Sequence, residues 1–247
     1  MRKNIYNSIS VIIPTYNEEA SIVPLVERID AAFSKEKVTY ELIFIDDNST
    51  DNTRNIIREL SVTYPIILNI KVGKRGKAFS IHEGLRYAQF DAIAMIDADL
   101  QYPPEALPGM LEKLAEADIV VVNRKKYKDS PVRKVLSNTF RFAFGKALFG
   151  LAHDIQSGLK VFTREVADTL KFEPSSAWTF DLEFLHRAKQ AGFLIQNFDI
   201  VFSKRRNGES KLSFIKQTLE IGTNAIQVRA KRIHPVHIPP KKIDSML

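Results

Sequence analysis

The chain has 247 residues, 45% hydrophobic and 26% charged, a balance that excludes wholesale disorder and fits one α/β domain with at most a short appendage. Its 36 Lys and Arg outweigh 29 Asp and Glu, and the formal net charge of +7 implies a phosphate-bearing partner: nucleic acid, anionic lipid headgroups or a phosphorylated substrate. Cysteine is absent, which excludes a disulfide framework, a zinc ribbon and a thiol nucleophile together. No apolar run reaches the length of a transmembrane helix or the h-region of a signal peptide, so a cytoplasmic setting is expected.

In the first half, apolar strand-like runs alternate with helical spacing. Ile9–Pro14 predicts a strand, and Glu18–Phe33 a helix with Ile22, Leu25, Val26 and Ile29 on one face. Glu41–Asp46 predicts the second strand, and Asp51–Leu60 a helix with Asp51 as its N-cap. Ile66–Val72, Lys77–Tyr87 and Ala92–Ile96 predict strand, helix and strand. Pro103 and Pro104 open a helix to about Ala117, and Asp118–Val122 predicts a fifth strand. Strands apolar on both faces and separated by helices predict an α/β fold with an open, mostly parallel sheet flanked by helices.

Beyond Asn123 the pattern changes. Arg124–Asp129 reads as a basic loop, and Pro131–Gly150 as a helix mixing Arg133, Lys134, Arg141 and Lys146 with five aromatic or aliphatic residues from Phe140 to Phe149. Gly158–Phe162 predicts a strand, Phe180–Ala191 a helix, Leu194–Phe202 a strand and Lys204–Lys211 a basic turn. Leu212–Lys231 predicts a second basic amphipathic helix, followed by a proline-containing polar tail. Helices of this kind fit a core with a solvated face or a membrane surface.

Ligands of open α/β sheets sit outside the carboxyl ends of the strands. Here Pro14–Glu18, Asp46–Ser49 and Asp97–Asp99 gather at those ends. The turn after the first strand contains no glycine, which argues against a dinucleotide site of the G-x-G-x-x-G type. Asp97 and Asp99, one residue apart just past a strand, can present oxygens to one Mg²⁺ or Mn²⁺ whose other positions hold diphosphate oxygens. Asp99 could instead cap the following helix. The five histidines show no zinc-type spacing. Nucleic-acid binding is not expected: no helix-turn-helix, RNP or zinc-finger signature occurs, and carboxylates line the ligand edge.

SVIIPTYNEE, FIDDNSTDNT, RGKAFSIHEGL and MIDADLQYPPE, in this order, resemble the family 2 glycosyltransferases of GT-A fold. DIQSGLKVFTRE, WTFDLEFL and SKRRNGESKL resemble the branch that makes polyprenyl-phosphate sugars, which includes the dolichyl-phosphate mannose and glucose synthases. The resemblance runs from about Ser8 to Leu212. It implies a catalytic domain over 1–211 and an amphipathic helix with a polar tail over 212–247. It implies that Pro14, Tyr16, Glu18, Asp46 and Lys77 line the nucleotide sugar, Asp46 by bonding the base, and that Asp97, Asp99 and Gln101 hold the metal and diphosphate.

By the same resemblance, Arg124, Arg133, Ser137, Arg205 and Lys211 bind the acceptor phosphate, with Asp97, Asp99 and Arg133 central to catalysis. Asp181 and Glu183 match the place where hydroxyl-acceptor relatives keep a base. The implied reaction is inverting transfer of glucose or mannose from a UDP- or GDP-hexose to a dolichyl or undecaprenyl phosphate, at the cytoplasmic face of a membrane. The alternative is a hydroxyl acceptor on a polysaccharide or glycolipid. Many relatives carry C-terminal transmembrane helices, which are not found here, so a peripheral, partner-anchored or truncated enzyme is expected.

Overall fold

Seven apolar runs become strands of one sheet in a computed structural model that describes residues 6–125, 157–170, 174 and 180–201. In chain order they are β1 (Ser8–Thr15), β2 (Thr39–Asp46), β3 (Ile66–Ile70), β4 (Ala92–Met95), β5 (Ile119–Lys125), β6 (Lys160–Thr163) and β7 (Ile195–Val201). The described helices are α1 (Glu19–Glu36), α2 (Thr53–Leu60), α3 (Lys77–Gly84), α4 (Leu107–Lys113), entered through a 3₁₀ turn at Pro104–Ala106, α5 (Arg164–Leu170) and α6 (Phe180–Gln190). The spatial order of the strands is β3-β2-β1-β4-β6-β5-β7.

Alternation along the strands feeds two cores, because successive side chains point to opposite faces. Ile9, Val11, Ile13, Leu42 and Phe44 pack against Leu25, Ile29 and Phe33 of α1, Ile57 of α2 and Met110 of α4. Ile12, Ile43, Ile45, Ile93 and Met95 pack on the other face against Ile81 of α3, Val166 of α5 and Phe184 and Leu185 of α6. The all-apolar runs of the sequence therefore belong to strands covered on both faces.

Two features of this sheet build a site. The chain leaves β1 toward β2 and β3, then returns to place β4 on β1's other side, so the crevice between β1 and β4 is a topological switch point. The β1–β4 ladder covers Ile9–Ile12 against Ala92–Met95 and is extended once by Ile96 N–H donating to the Ile12 carbonyl. Two residues on, Pro14 faces the same side with no N–H to offer, so the ladder stops and the strands part.

The second feature departs from the parallel arrangement. Strand β6 runs antiparallel to both neighbours, with Lys160 opposite Met95 of β4 and opposite Val121 of β5. Strand β5 ends at the site edge, and β6 begins at that edge, so β6 must run the other way. Its entry, Ser157 and Gly158, is thereby delivered to the carboxyl end of β4. Strand β5 also extends to Lys125, so Arg124 lies in the strand opposite Ile200 of β7 rather than in a loop.

Several elements end earlier than the residue patterns suggest. Strand β3 ends at Ile70, α3 at Gly84 and α4 at Lys113. The expected helices at Pro131–Gly150 and Leu212–Lys231, and the boundary at 211/212, lie outside the described residues. Among the described residues no helix is long and apolar enough to cross a membrane.

Candidate active site

The loops after β1 and β2 are stitched into one wall of the crevice. Asn17, at φ 55°, accepts from the Thr50 N–H at 2.7 Å, and its own N–H donates to Ser49 Oγ at 2.9 Å. The Glu18 N–H donates to Thr53 Oγ1 at 2.8 Å, and the Asn52 N–H donates to Glu19 Oε2 at 2.9 Å. Asp51 accepts from the Thr53 N–H at 3.0 Å and the Glu19 N–H at 3.3 Å, so it braces two helix starts at once, although Asn52 holds the N-cap position of α2.

Asp46, expected to bond the base, is wholly buried inside this wall. Its oxygens accept from the Ser49 N–H at 2.9 Å, the Ser49 hydroxyl at 2.5 Å and the Thr15 hydroxyl at 3.4 Å. A carboxylate stripped of water needs such donors, and here the loop itself provides them. The next carboxylate, Asp47, is only half-buried at the same edge of the sheet. It accepts from the Gly76 N–H at 2.7 Å and lies 3.0 Å from Lys71 Nζ.

Lys71 is 1% exposed, and its ammonium also donates to the Gly76 carbonyl at 3.0 Å and to Ser80 Oγ at 2.8 Å. Gly76, at φ 117°, adopts a conformation that side chains rarely take, which lets the loop turn back on Asp47 before α3 begins. The sequence places Asp47 in the Asp46–Ser49 group at the ligand edge without giving it a role of its own, and Lys71 only at the end of the third predicted strand. The available signal for their pairing is a lysine closing a mainly apolar run, Ile66–Lys71, which burial would force to find a carboxylate.

Tyr16 is 42% exposed, and the Arg75 guanidinium lies 5.6 Å from its ring centroid. Glu18 is half-buried and takes the Ser21 hydroxyl at 3.2 Å. Pro14, Tyr16, Glu18 and Asp47 thus share one edge of the sheet.

Across the crevice, Asp97 and Asp99 follow β4, and both are half-buried. Asp99 accepts from the Gln101 N–H at 3.1 Å, and the intervening Leu100 is held at φ 61°, a left-handed conformation costly for a bulky residue. The Asp97 carboxylate meets Lys77 Nζ at 2.5 Å. Burial opposes charge on Lys77, but the carboxylates of Asp97 and Asp181 more than offset it and raise its pKa above the ordinary lysine value. Gly158 sits so close that a Cβ there would stand 2.0 Å from Asp97 Oδ2, and its N–H donates to the Tyr102 hydroxyl at 2.8 Å.

Among the described residues no three acidic, histidine or cysteine side chains converge as a ready-made metal cage. Asp97 and Asp99 fit instead an ion completed by phosphate oxygens and water, as Mg²⁺ sites are.

Asp181 and Glu183 start α6. Asp181 Oδ1 is engaged by Lys160 Nζ at 2.5 Å, and Glu183 is wholly buried. Arg124 is half-buried on the edge that carries Asp97. Arg133, Ser137, Arg205 and Lys211 lie outside the described residues.

Two comparisons place this geometry. By shape, the chain matches glucosyl-3-phosphoglycerate synthase from Mycobacterium tuberculosis, solved with Mn²⁺, UDP and glucosyl-3-phosphoglycerate, at a TM-score of 0.71 and 19% identity over 94% of this chain and 83% of that one. It matches a mannosyltransferase from Pyrobaculum calidifontis, solved with GDP-mannose and Mn²⁺, at a TM-score of 0.69 and 19% identity over 95% and 67%. These likenesses establish the GT-A fold.

By sequence, it is 30% identical to a dolichol-phosphate mannosyltransferase of Pyrococcus furiosus over 213 residues, 83% of this chain and 59% of that protein. It is also 30% identical to an undecaprenyl-phosphate 4-deoxy-4-formamido-L-arabinose transferase of Proteus mirabilis over 223 residues, 85% of this chain and 64% of that protein. The chain thus spans about three fifths of the length of these curated relatives. The family model described as glycosyl transferase family 2 matches residues 10–171, which hold the stitched loops, both β4 carboxylates and Gly158, and the chain belongs to that family.

Proposed function

We propose that this protein transfers a hexose, glucose or mannose, with inversion from a nucleotide sugar to a polyprenyl phosphate at the cytoplasmic face of a membrane. The observation that carries the donor half is the pair Asp97 and Asp99 at the switch-point crevice, with the Lys77 ammonium 2.5 Å from Asp97. Asp97 and Asp99, with Gln101 beside them, would hold a divalent ion, Mg²⁺ or Mn²⁺, which when bound neutralises charge developing on the departing nucleoside diphosphate. Lys77 adds a fixed positive charge at the same place, preorganised by its two carboxylates. Tyr16 offers an exposed ring for the base, Pro14 opens the crevice, and Glu18 and Asp47 border it, with Asp46 holding the wall behind them.

A lipid phosphate arrives already anionic, so its oxygen can attack the anomeric carbon without a strong general base. Asp181, engaged by Lys160, fits that requirement better than it fits the role of proton acceptor. The acceptor needs cations instead, and bidentate arginine suits a phosphate. Arg124, Arg133 and Arg205, with Ser137 and Lys211, fill that role in this proposal. The two relatives at 30% identity, both named for polyprenyl-phosphate sugar transfer, support the acceptor class.

Radiolabelled UDP-glucose and GDP-mannose, offered with Mn²⁺ to the protein and vesicles containing polyprenyl phosphate, test the whole proposal. The expected product is a labelled lipid cleaved by mild acid, as a glycosyl phosphate is. An acid-stable glycoside formed on a hydroxyl acceptor would overturn it. Arg133→Ala is expected to raise acceptor KM at unchanged donor Kd, with Arg133→Lys restoring only part of it. The protein is also expected to float with anionic vesicles at low salt and to release as salt shortens the Debye length below about 8 Å.

A further inference from the structure

Leu100 stands between Asp99 and Gln101 in a conformation that its own side chain disfavours. Its φ of 61° lies in the left-handed region, where glycine and asparagine are at home and a bulky residue is rare. Backbone strain of this kind persists only where the surrounding structure imposes it, and it gathers at sites that need a fixed geometry.

The segment that leaves β4 shows what imposes it. Ala98 and Tyr102 are each 3% exposed in the core that the sheet shares with α1 and α4, and Leu100 packs against that same core. Asp97, Asp99 and Gln101 alternate with them and stay half-buried. Tyr102 and Pro103 each precede a proline, which keeps them extended, and Pro103 has φ −70° and ψ 116°. The turn is therefore made upstream of them, at Leu100. Its product is the 3.1 Å hydrogen bond from the Gln101 N–H to Asp99 Oδ1. In such a turn the carboxylate stands in for the first carbonyl of a β-turn, and a positive φ at the following residue is the type II form, which asks for glycine or asparagine where this chain has leucine.

We propose that Leu100 is a positioning residue for the donor site: its left-handed backbone holds Asp99 and Gln101 in the geometry that the divalent ion of the donor diphosphate needs. The conformation at this position sets affinity, and the apolar contact of the side chain sets only stability. Because Leu100 is half-buried rather than enclosed, a residue that resists positive φ can relax out of the turn, and binding of the ion must then restore it. This proposal rests on the donor reading of Asp99 and Gln101 given above.

The test compares Leu100→Asn, Leu100→Thr, Leu100→Val, Leu100→Ala and Asp99→Asn in the full chain. The readouts are UDP and GDP affinity by calorimetry with and without Mn²⁺, Mn²⁺ binding beside UDP followed by its electron paramagnetic resonance, and unfolding in urea. Asn and Thr lose the apolar contact alike, but Asn accepts the left-handed region whereas the β-branched Thr and Val resist it. Leu100→Asn is expected to keep Mn²⁺-dependent nucleotide binding within about threefold of native. Leu100→Thr and Leu100→Val are expected to weaken it about tenfold, the low end of what a disfavoured φ costs. Unfolding is expected to rank the three differently, with Leu100→Val the most stable because it alone keeps an apolar side chain. A leucine that serves packing alone would leave binding unmoved or make it follow the unfolding order.

Leu100→Thr binding as tightly as Leu100→Asn, or a folded Leu100→Asn weakened as much as Leu100→Thr, would overturn the proposal. Should the β-branched variants fail to fold, Leu100→Ala takes their place, since it loses the apolar contact as Asn does without the preference of Asn for positive φ. Binding by Leu100→Ala no weaker than by Leu100→Asn would then overturn the proposal as well. Asp99→Asn reports on the donor reading separately: unchanged Mn²⁺-dependent binding there removes Asp99 from the site whatever stands at position 100.

Discussion

Gly158→Ala tests most directly whether the antiparallel entry of β6 shapes the donor site. A Cβ at this position would stand 2.0 Å from Asp97 Oδ2, 2.6 Å from its Cγ and 2.9 Å from Tyr102 Cε2, where ordinary contact is 3.4–4 Å. Tyr102 is 3% exposed and tied to the Gly158 N–H, so the half-buried Asp97 carboxylate is the group that can yield. It would have to swing by about 1.4 Å, which disturbs its 2.5 Å contact with Lys77, and a displacement of about 1 Å at a reacting centre costs roughly 100-fold in rate.

Overpacking of this kind costs about 1–3 kcal/mol of stability, so the fold should survive while transfer falls by about two orders of magnitude and Mn²⁺-dependent nucleotide binding weakens. Calorimetric titration with UDP and GDP, alongside the vesicle transfer assay and a thermal melt, reads all three. Gly73→Ala, where a Cβ meets nothing within 4 Å, is the matched control. Native turnover in Gly158→Ala would refute both the close approach and the role of Asp97.

Three further outcomes follow from the same contacts. Asp46→Asn is expected to lower stability by about 2 kcal/mol in urea unfolding, because an amide nitrogen cannot accept from Ser49; native stability with weakened nucleotide binding would instead make Asp46 a base-reading residue. Asp51 has a carboxyl pKa below its ordinary value: burial pushes it up, but the Thr53 hydroxyl and the N–H groups of Thr53 and Glu19 outweigh burial. Its contribution is therefore present above the ordinary carboxylate range and lost as pH falls through the depressed value, so Asp51→Asn should flatten the acid limb of the melting-temperature profile, and an unchanged limb would sink the assignment. Arg75→Ala should alter nucleotide affinity by freeing the Tyr16 ring, and identical affinity would show that the ring is not a base platform.

Much of the architecture was legible because it is periodic. The apolar runs Ile9–Ile13, Leu42–Ile45 and Ala92–Ile96 are buried on both faces, and the helical spacing of Ile22, Leu25, Val26 and Ile29 is the face that α1 packs on the sheet. The acids after β2 and β4 were legible as ligand-edge residues, because a carboxylate that ends a buried strand must meet either a ligand or a donor. Which of those two each one meets was not legible. Asp46 and Asp47 are adjacent and identical in type, and the return of Ser49, Thr15 and Arg54 onto the first, and of Lys71 and Gly76 onto the second, tells them apart.

What the sequence by itself determined is what depends on neighbours along the chain: the alternating strands and helices, the missing glycine turn, the motif order, and the family that these imply. What only the tertiary structure decided is what depends on strands far apart in sequence lying side by side. The direction of β6 is one case, since four residues read the same in either direction while their flanks decide the sense of the pairing. The ion pairs Lys77–Asp97 and Lys160–Asp181 are the other. Their members are spread over two strand ends and two helices, and a charge pair carries no periodicity, so only the fold makes them neighbours.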